Sequence, residues 1–466
     1  MHHRGMRKSI DLAVVGGVLV TEHGPQGLDL GVHEGRVVAL AERGALPPAE
    51  EVVSAVGKVV LPGLVDPHVH LREPGPLAEE DFATGTMAAA AGGITTVLEQ
   101  PVDTPPTATA ALFAKKRAIV APKSYADFGL WGALIPDNLE EIPGLADAGA
   151  VAFKAFLCGS DPVYPMVDDG TLLEGMRRIA QTGLLLALHC ENQSIIDAAT
   201  RSLTPEQRAE PISHGRCRPP ISELEAVQRA ILLARDAGAR LHILHLGLAQ
   251  GARLVEQAKR AGQAVTVETC PHYLVLSEDA LRAAGPYAKC NPPLRSADQV
   301  SALWDTVASG MIDCIVSDHS PYTTEDKNKG FSDIGRAPGG INALELGLSL
   351  MLSEGLHRNR ISLTEIARLM ATNPAKIFGL YPKKGTLAPG ADADLAIVDL
   401  DREWTVAGEH LYTKNKWTPF EGKRLRGKVS QTLVRGKTVY VEGQFPAGPG
   451  YGRDLTGLSA AAMSGR

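Results

Sequence analysis

Asp66-Pro67-His68-Val69-His70 holds the residue types best suited to chemistry in this chain. It follows an apolar run, Val59-Val60-Leu61-Pro62-Gly63-Leu64-Val65, with the character of a buried strand. Residues two apart on a strand point to the same side, so His68 and His70 should present two imidazoles together at its C-terminal end. Two neutral imidazoles begin a transition-metal site, because histidine is a ready ligand for zinc and similar ions. The triplet alone is weak evidence, since strands also carry histidines that only pack. What stands at the ends of the other strands gives it weight.

From Val59 onward, strand-like apolar runs alternate with segments of helical periodicity. Strands are expected at 59–66, 94–99, 128–135, 150–157, 183–190, 240–246, 264–270 and 312–317. Helical spacing recurs at 82–91, 172–181, 222–237 and 249–261. Eight strands with helices between them give the count of an α/β (β/α)8 barrel. Residues 10–58 and 384–445 carry shorter alternating strands with turns, as in DLAVVGGVLV and SQTLVRGKTVYVEGQF. They are expected to form one small β-sandwich made by both termini. The expected division is therefore 1–60 (first half of the sandwich), 61–383 (catalytic barrel) and 384–466 (second half and tail).

Barrel enzymes place reactive groups at the C-terminal ends of their strands. Here strand one ends in His68 and His70, and strand four carries Lys154. Strand five ends in His189, strand six holds His242 and His245, and strand eight runs into Ser317-Asp318-His319. So many metal-binding side chains at matching ends are hard to explain as core filler. Strand periodicity allows only one of His242 and His245 to point inward. His245 is nearer the end and is the expected ligand, leaving His242 to pack. His319 faces away from Asp318 and is read as structural. His214, His272 and His357 have no comparable support as ligands. His23, His33 and His410 are assigned to the surface of the terminal module, and His2 and His3 to a disordered end beside Met6, a possible alternative start. Lys154 is the odd member, since an ammonium among metal ligands is repelled and costly to bury. Carbamylation by CO2 would convert it to a carboxylate-like anion able to bridge two cations.

The bulk properties narrow the class. The chain has 466 residues, 44% hydrophobic and 21% charged, with a net charge of -6, so neither nucleic acid nor an anionic membrane is expected as a partner. No apolar run approaches the roughly 20 residues that span a bilayer. The N-terminal MHHRGMRKSI lacks the apolar core of a secretory signal. Six scattered cysteines without a CxxC pair fit a reduced, cytoplasmic protein.

The motifs LPGLVDPHVHLREPG, GITTVLEQP, FKAFL, LLALHCEN, RLHILHLG, ETCPHYLVL, KCNPPLR and VSDHSP resemble cyclic amidohydrolases of the dihydroorotase, allantoinase and hydantoinase group, over nearly the whole chain. KGTLAPGADADLAIVD is similar to that group's closing β-module. The resemblance implies a hydrolase with two divalent ions, zinc being expected. His68, His70, carbamylated Lys154 and Asp318 would surround one ion; His189, His245 and the same carbamate would surround the other. Asp318 would move the proton of the nucleophilic water. The partner would be a small cyclic ureide or amide, and the assembly a homo-oligomer, tetramer or dimer.

The substrate is less legible. Leu71-Arg72-Glu73-Pro74-Gly75 resembles dihydroorotases, in which this arginine holds the substrate carboxylate. A salt bridge from Arg72 to Glu73 or Glu80 is the structural alternative. Dihydroorotases usually offer an asparagine where this chain has Asp103, which should repel a carboxylate, and tend to have a histidine at Tyr322. Allantoinases share HCENQ, AKCNPPLR, YTKNKWTPFEGKRLRGKV and GPGYGRDL, but usually carry Asn at Asp103, often Cys at Tyr322, and lack Arg72. L-Hydantoinases are similar through QPVDTPPTAT and PVYPMVDDGTL. Allantoin is the expected substrate, with dihydroorotate or a hydantoin as alternatives and Arg72, Asp103 and Asn291 as substrate-binding candidates. Asn291 is otherwise a turn residue before Pro292-Pro293. A scaffold that has lost its metal ligands is a non-enzymatic alternative, and a deaminase or organophosphate-type barrel a third; all six ligand positions and the full-length motif match oppose both.

Overall fold

The computed structural model describes residues 10–159, 161 and 163–456; His2, His3 and Met6 lie outside them. Eight short parallel strands form the central layer. Leu64–Val69 pairs with Ile94–Glu99, which pairs with Asp127–Leu130. The third strand breaks at Trp131 and resumes as Gly132–Ala133, which pairs with Phe153–Phe156. Leu185–His189, Arg240–Ile243, Val265–Thr269 and Cys314–Ile315 follow in order. The two ends of the series meet through a parallel bridge between Val69 and His319, where His70 N donates to His319 O at 2.8 Å. Both faces of these strands are buried, which is why they are continuous hydrophobic runs rather than alternating ones.

The expected strand 59–66 is two strands. Val59–Pro62 belongs to the terminal module and Leu64–Val69 to the barrel. Gly63 makes the junction because a Cβ there would lie 2.3 Å from Thr95 Oγ1 and 2.8 Å from Asp394 Cβ. The eighth strand is also shorter than expected, with regular pairing only at Cys314–Ile315.

The helices follow their start and stop signals. Asp81 caps Phe82–Ala91 by accepting from Thr84 N, and Asp168 caps Asp169–Thr182 by accepting from Thr171 N. The second of these ends at Gly183, whose φ of 75° suits a residue without Cβ. Pro220–Ala237 packs on strand six and Ala249–Arg260 on strand seven.

The terminal module is two packed sheets. One is wholly N-terminal, ordered Arg36–Glu42, Leu28–His33, Ile10–Val15, Ala49–Ser54. The other interleaves the termini: Leu395–Thr405 lies between Val59–Pro62 and Arg424–Val434. Leu12, Val14 and Leu30 of one sheet pack with Leu395, Ile397 and Leu433 of the other. A buried ionic cluster clamps this module to the third barrel strand. Lys384 Nζ reaches Asp394 at 2.8 Å, Asp392 at 3.0 Å and Asp127, which Arg435 also contacts.

Candidate active site

The ends of strands one, four, five, six and eight deliver their side chains to one buried floor. His68 and His70 rings lie 5.3 Å apart, and His68 lies 5.4 Å from His245. His189 Nδ1 is 2.9 Å from His245 Nε2. Lys154 Nζ is 3.3 Å from His68 Nε2 and 4.6 Å from the Phe156 ring. Asp318 Oδ1 is 3.1 Å from His68 Nε2 and 3.5 Å from His70 Nε2. Ligand atoms of His68, His245 and Asp318 lie within 4.8 Å of one another. His245 and Asp318 take positive φ values of 34° and 44°, and Arg72 one of 60°. Such backbone is uncommon for residues with a Cβ, and it turns these side chains off the strand ends toward the centre.

Electrostatics make this set fit a divalent cation. Burial holds His70, His189 and His245 well below the usual imidazole range, with Lys154 or its cationic neighbours adding to the effect. They are neutral rings offering lone pairs. The Nδ1 atoms of His70 and His245 have no hydrogen-bond partner among the described residues despite being buried. Burial draws the Lys154 ammonium down to about 8, against the attraction of Asp318 and Glu268. Burial raises the Asp318 carboxyl, and His68 and Lys154 pull it back.

Glu268 is a residue that sequence reasoning missed. Its Oε1 accepts from His68 Nδ1 and from His245 N at 3.1 Å, and its Oε2 lies 3.0 Å from His242 Nε2. Burial opposes its charge, but the adjoining His68 and the hydrogen bonds from His242 and His68 hold it far below the carboxylate range. Accepting at Nδ1 fixes the His68 tautomer with Nε2 as the lone pair facing Asp318 and Lys154. The available signal was a lone acid inside the apolar strand AVTVETC. His242 supports this carboxylate through its ring rather than merely filling space, with Nδ1 2.7 Å from Thr266 Oγ1. Glu191 orients His189 in the same way, 2.8 Å from Nε2, and is itself paired with Arg218.

The cavity above this floor is lined by His70, Arg72, Val102, Asp161, Asn291, Ser320 and Tyr322, among others. Asn291 packs directly against Gly339, where a Cβ would lie 2.9 Å from its Nδ2, and its Oδ1 is buried without a partner among the described residues. Arg72 pairs with neither Glu73 nor Glu80: its Nε lies 3.3 Å from Glu79 and its Nη1 3.5 Å from Asp161. Glu73 is taken by Lys123, and Glu80 by His319 and Thr413. Asp103 does not line the cavity. Its Oδ2 accepts from Thr107 at 2.6 Å and from Lys116 at 2.7 Å, in a buried cluster that also contains Glu99. The expectation that Asp103 repels a substrate carboxylate is corrected by this geometry, because its carboxyl is buried in the cluster with Lys116 and Glu99 and does not reach the cavity. The remaining histidines are held locally: His214 Nε2 by Cys290 O, His357 Nε2 by Leu400 O, His33 Nδ1 by Asp11 and His319 Nε2 by Glu80. His272 is buried without a protein partner on either nitrogen. Among the described residues none of the six cysteines is joined in a disulfide, and no helix is long and apolar enough to cross a membrane.

Comparison with known proteins agrees with this fold. The model of the amidohydrolase family matches residues 59–439. An allantoinase of Deinococcus radiodurans is 41% identical over 447 residues, covering 95% of this chain and 98% of the relative. An L-hydantoinase of Paenarthrobacter aurescens is 37% identical, covering 94% and 96%. The solved L-hydantoinase (dihydropyrimidinase) from Arthrobacter aurescens superposes with a TM-score of 0.94 over 96% of this chain and 100% of that one. With a family match over most of its length and full-length relatives above 30% identity, the chain belongs to the amidohydrolase family.

Proposed function

We propose that the protein hydrolyses the ring amide of a neutral five-membered cyclic ureide, converting allantoin to allantoate. The observation that carries the reading is the convergence of four buried imidazoles, Lys154 and Asp318 on one cavity floor. It occurs in a chain that aligns end to end with curated allantoinases. His68, His70 and Asp318 would hold one divalent ion and His189 and His245 the other, zinc being the ion that suits imidazole and carboxylate donors. Lys154 would join both sets after its amine nitrogen bonds the carbon of CO2 and loses a proton, leaving a carbamate anion. When bound, such ions supply Lewis acidity to the scissile carbonyl and make an attacking water acidic. Asp318, the carboxylate of that floor that lines the cavity, takes the water proton and returns it to the departing ring nitrogen, which would otherwise leave as a poor anion. The cavity walls, which include Asn291 and Arg72, hold the ring over these groups.

A second reading, opening of a 5-substituted hydantoin, is favoured by the close superposition on the L-hydantoinase structure. Assembly as a tetramer or dimer and a cytoplasmic location belong to the same proposal; six mostly buried cysteines with no disulfide among them support a reducing compartment. Allantoin opening should be abolished by chelation and restored by zinc with bicarbonate. Undiminished turnover in protein verified to be metal-free would overturn the proposal.

A further inference from the structure

Arg72 stands in the cavity wall with two carboxylates beside it. Its Nε is 3.3 Å from Glu79 Oε2 and its Nη1 3.5 Å from Asp161 Oδ2, while Nη2 donates to Ser320 Oγ at 2.9 Å. The Tyr322 ring covers the guanidinium face at 4.7 Å. Burial pushes the Glu79 carboxyl up to about 7, against the pull of Arg72. Even with Glu79 protonated, Asp161 alone balances the guanidinium charge. No surplus positive charge therefore remains here for an anionic ring.

Only one of the two acids lines the cavity, and it is Asp161. Its Oδ1 accepts from Val163 N at 2.9 Å, which anchors the carboxylate with Oδ2 toward Arg72. At 3.5 Å the Arg72–Asp161 contact is longer than a formed charge-assisted hydrogen bond. Both groups thus keep hydrogen-bonding capacity at the wall, a donor beside an acceptor. A ureido group has the complementary pattern, a carbonyl acceptor next to N–H donors. A carboxylate offers acceptors only, and Asp161 repels it.

We propose that Asp161 and Arg72 together form the specificity pair of this cavity, binding the ureido substituent of the ring and turning away rings that carry a carboxylate. This rests on the cyclic-ureide reading above and names the group it recognises. The test uses metal-loaded wild type, Asp161→Asn, Asp161→Ala and Asp161→Glu with three rings: allantoin, unsubstituted hydantoin and dihydroorotate. Losing the acceptor should lower kcat/KM for allantoin about tenfold or more, mainly through KM, as expected for one charge-assisted hydrogen bond. Hydantoin, which has no ureido substituent, should stay within about twofold of wild type. Dihydroorotate turnover and inhibition by orotate should both rise in Asp161→Asn and Asp161→Ala, and Asp161→Glu should restore the exclusion. Equal losses for allantoin and hydantoin, or no gain with dihydroorotate and orotate, would overturn the pair while leaving the ureide reading intact. A wild type that opens hydantoin and fails on allantoin would overturn both.

Discussion

Glu268→Gln tests whether the buried carboxylate behind the site sets the imidazoles for metal binding. Two donors converge on Oε1, His68 Nδ1–H and His245 N–H, and His242 Nε2 faces Oε2. A glutamine keeps the shape, with its carbonyl oxygen toward the two donors. Its NH2 must then face His242, which accepts at Nε2 and donates from Nδ1 to Thr266 Oγ1, 2.7 Å away. The network stays satisfied, so the substitution removes charge and little else. Losing a carboxylate behind a ligating imidazole costs about 10–100-fold in metal affinity, or about 1.4–2.8 kcal/mol. Glu268→Ala also leaves the His68 and His242 rings without that partner and should cost more, with a lower melting temperature. Competition against a graded chelator, with bound metal counted by atomic emission, gives the affinities. If Glu268→Gln holds metal as tightly as wild type, the carboxylate does not tune His68 and this account of the inner network is wrong.

Lys154→Ala should lose most activity and regain part of it with added short carboxylic acids, whereas Lys154→Arg, which cannot be carbamylated, should gain nothing; identical responses of the two variants would remove the carbamate. Asp318→Asn should lower kcat by a factor on the order of 10²–10⁴, the range for losing a general acid–base group, and near-normal turnover would take Asp318 out of the proton transfer. Lys384→Met leaves Asp127, Asp392 and Asp394 buried with only Arg435 to compensate, so unfolding in denaturant should reveal a loss of about 3–5 kcal/mol; an unchanged midpoint would refute the clamp. Burial pushes the Glu345 carboxyl from 4.5 up to about 7, against the Tyr412 amide and nearby lysines. A raised folded-state value gives stability present below about 4.5 and lost as pH rises through 7, so wild type should lose more melting temperature over that window than Glu345→Gln. Parallel curves would contradict it.

What the sequence carried and what it hid divide along physical lines. The parallel strands announce themselves because both faces are buried, so each is an apolar run bounded by turns. The positions of His68, His189, His245 and Asp318 at strand ends follow from those runs. Gly63 hid a strand boundary, because an apolar run does not tell which of two sheets each half joins. Asp103 was misjudged because its partner Lys116 comes from the following helix, Ala110–Val120, and that contact is tertiary. Asp161 was missed because it lies in a loop with no periodicity to place it, 89 residues from Arg72 in sequence. Glu268 was visible as an acid in an apolar strand, but its three donors come from strands one and six.

The central claim is ring opening of a neutral ureide at this cavity. It is tested most directly by kcat/KM for allantoin and for dihydroorotate, measured on one metal-loaded preparation. With Arg72 balanced by Asp161, allantoin should be preferred by at least about tenfold. A preference for dihydroorotate would contradict the account and make Arg72 a carboxylate-binding residue after all.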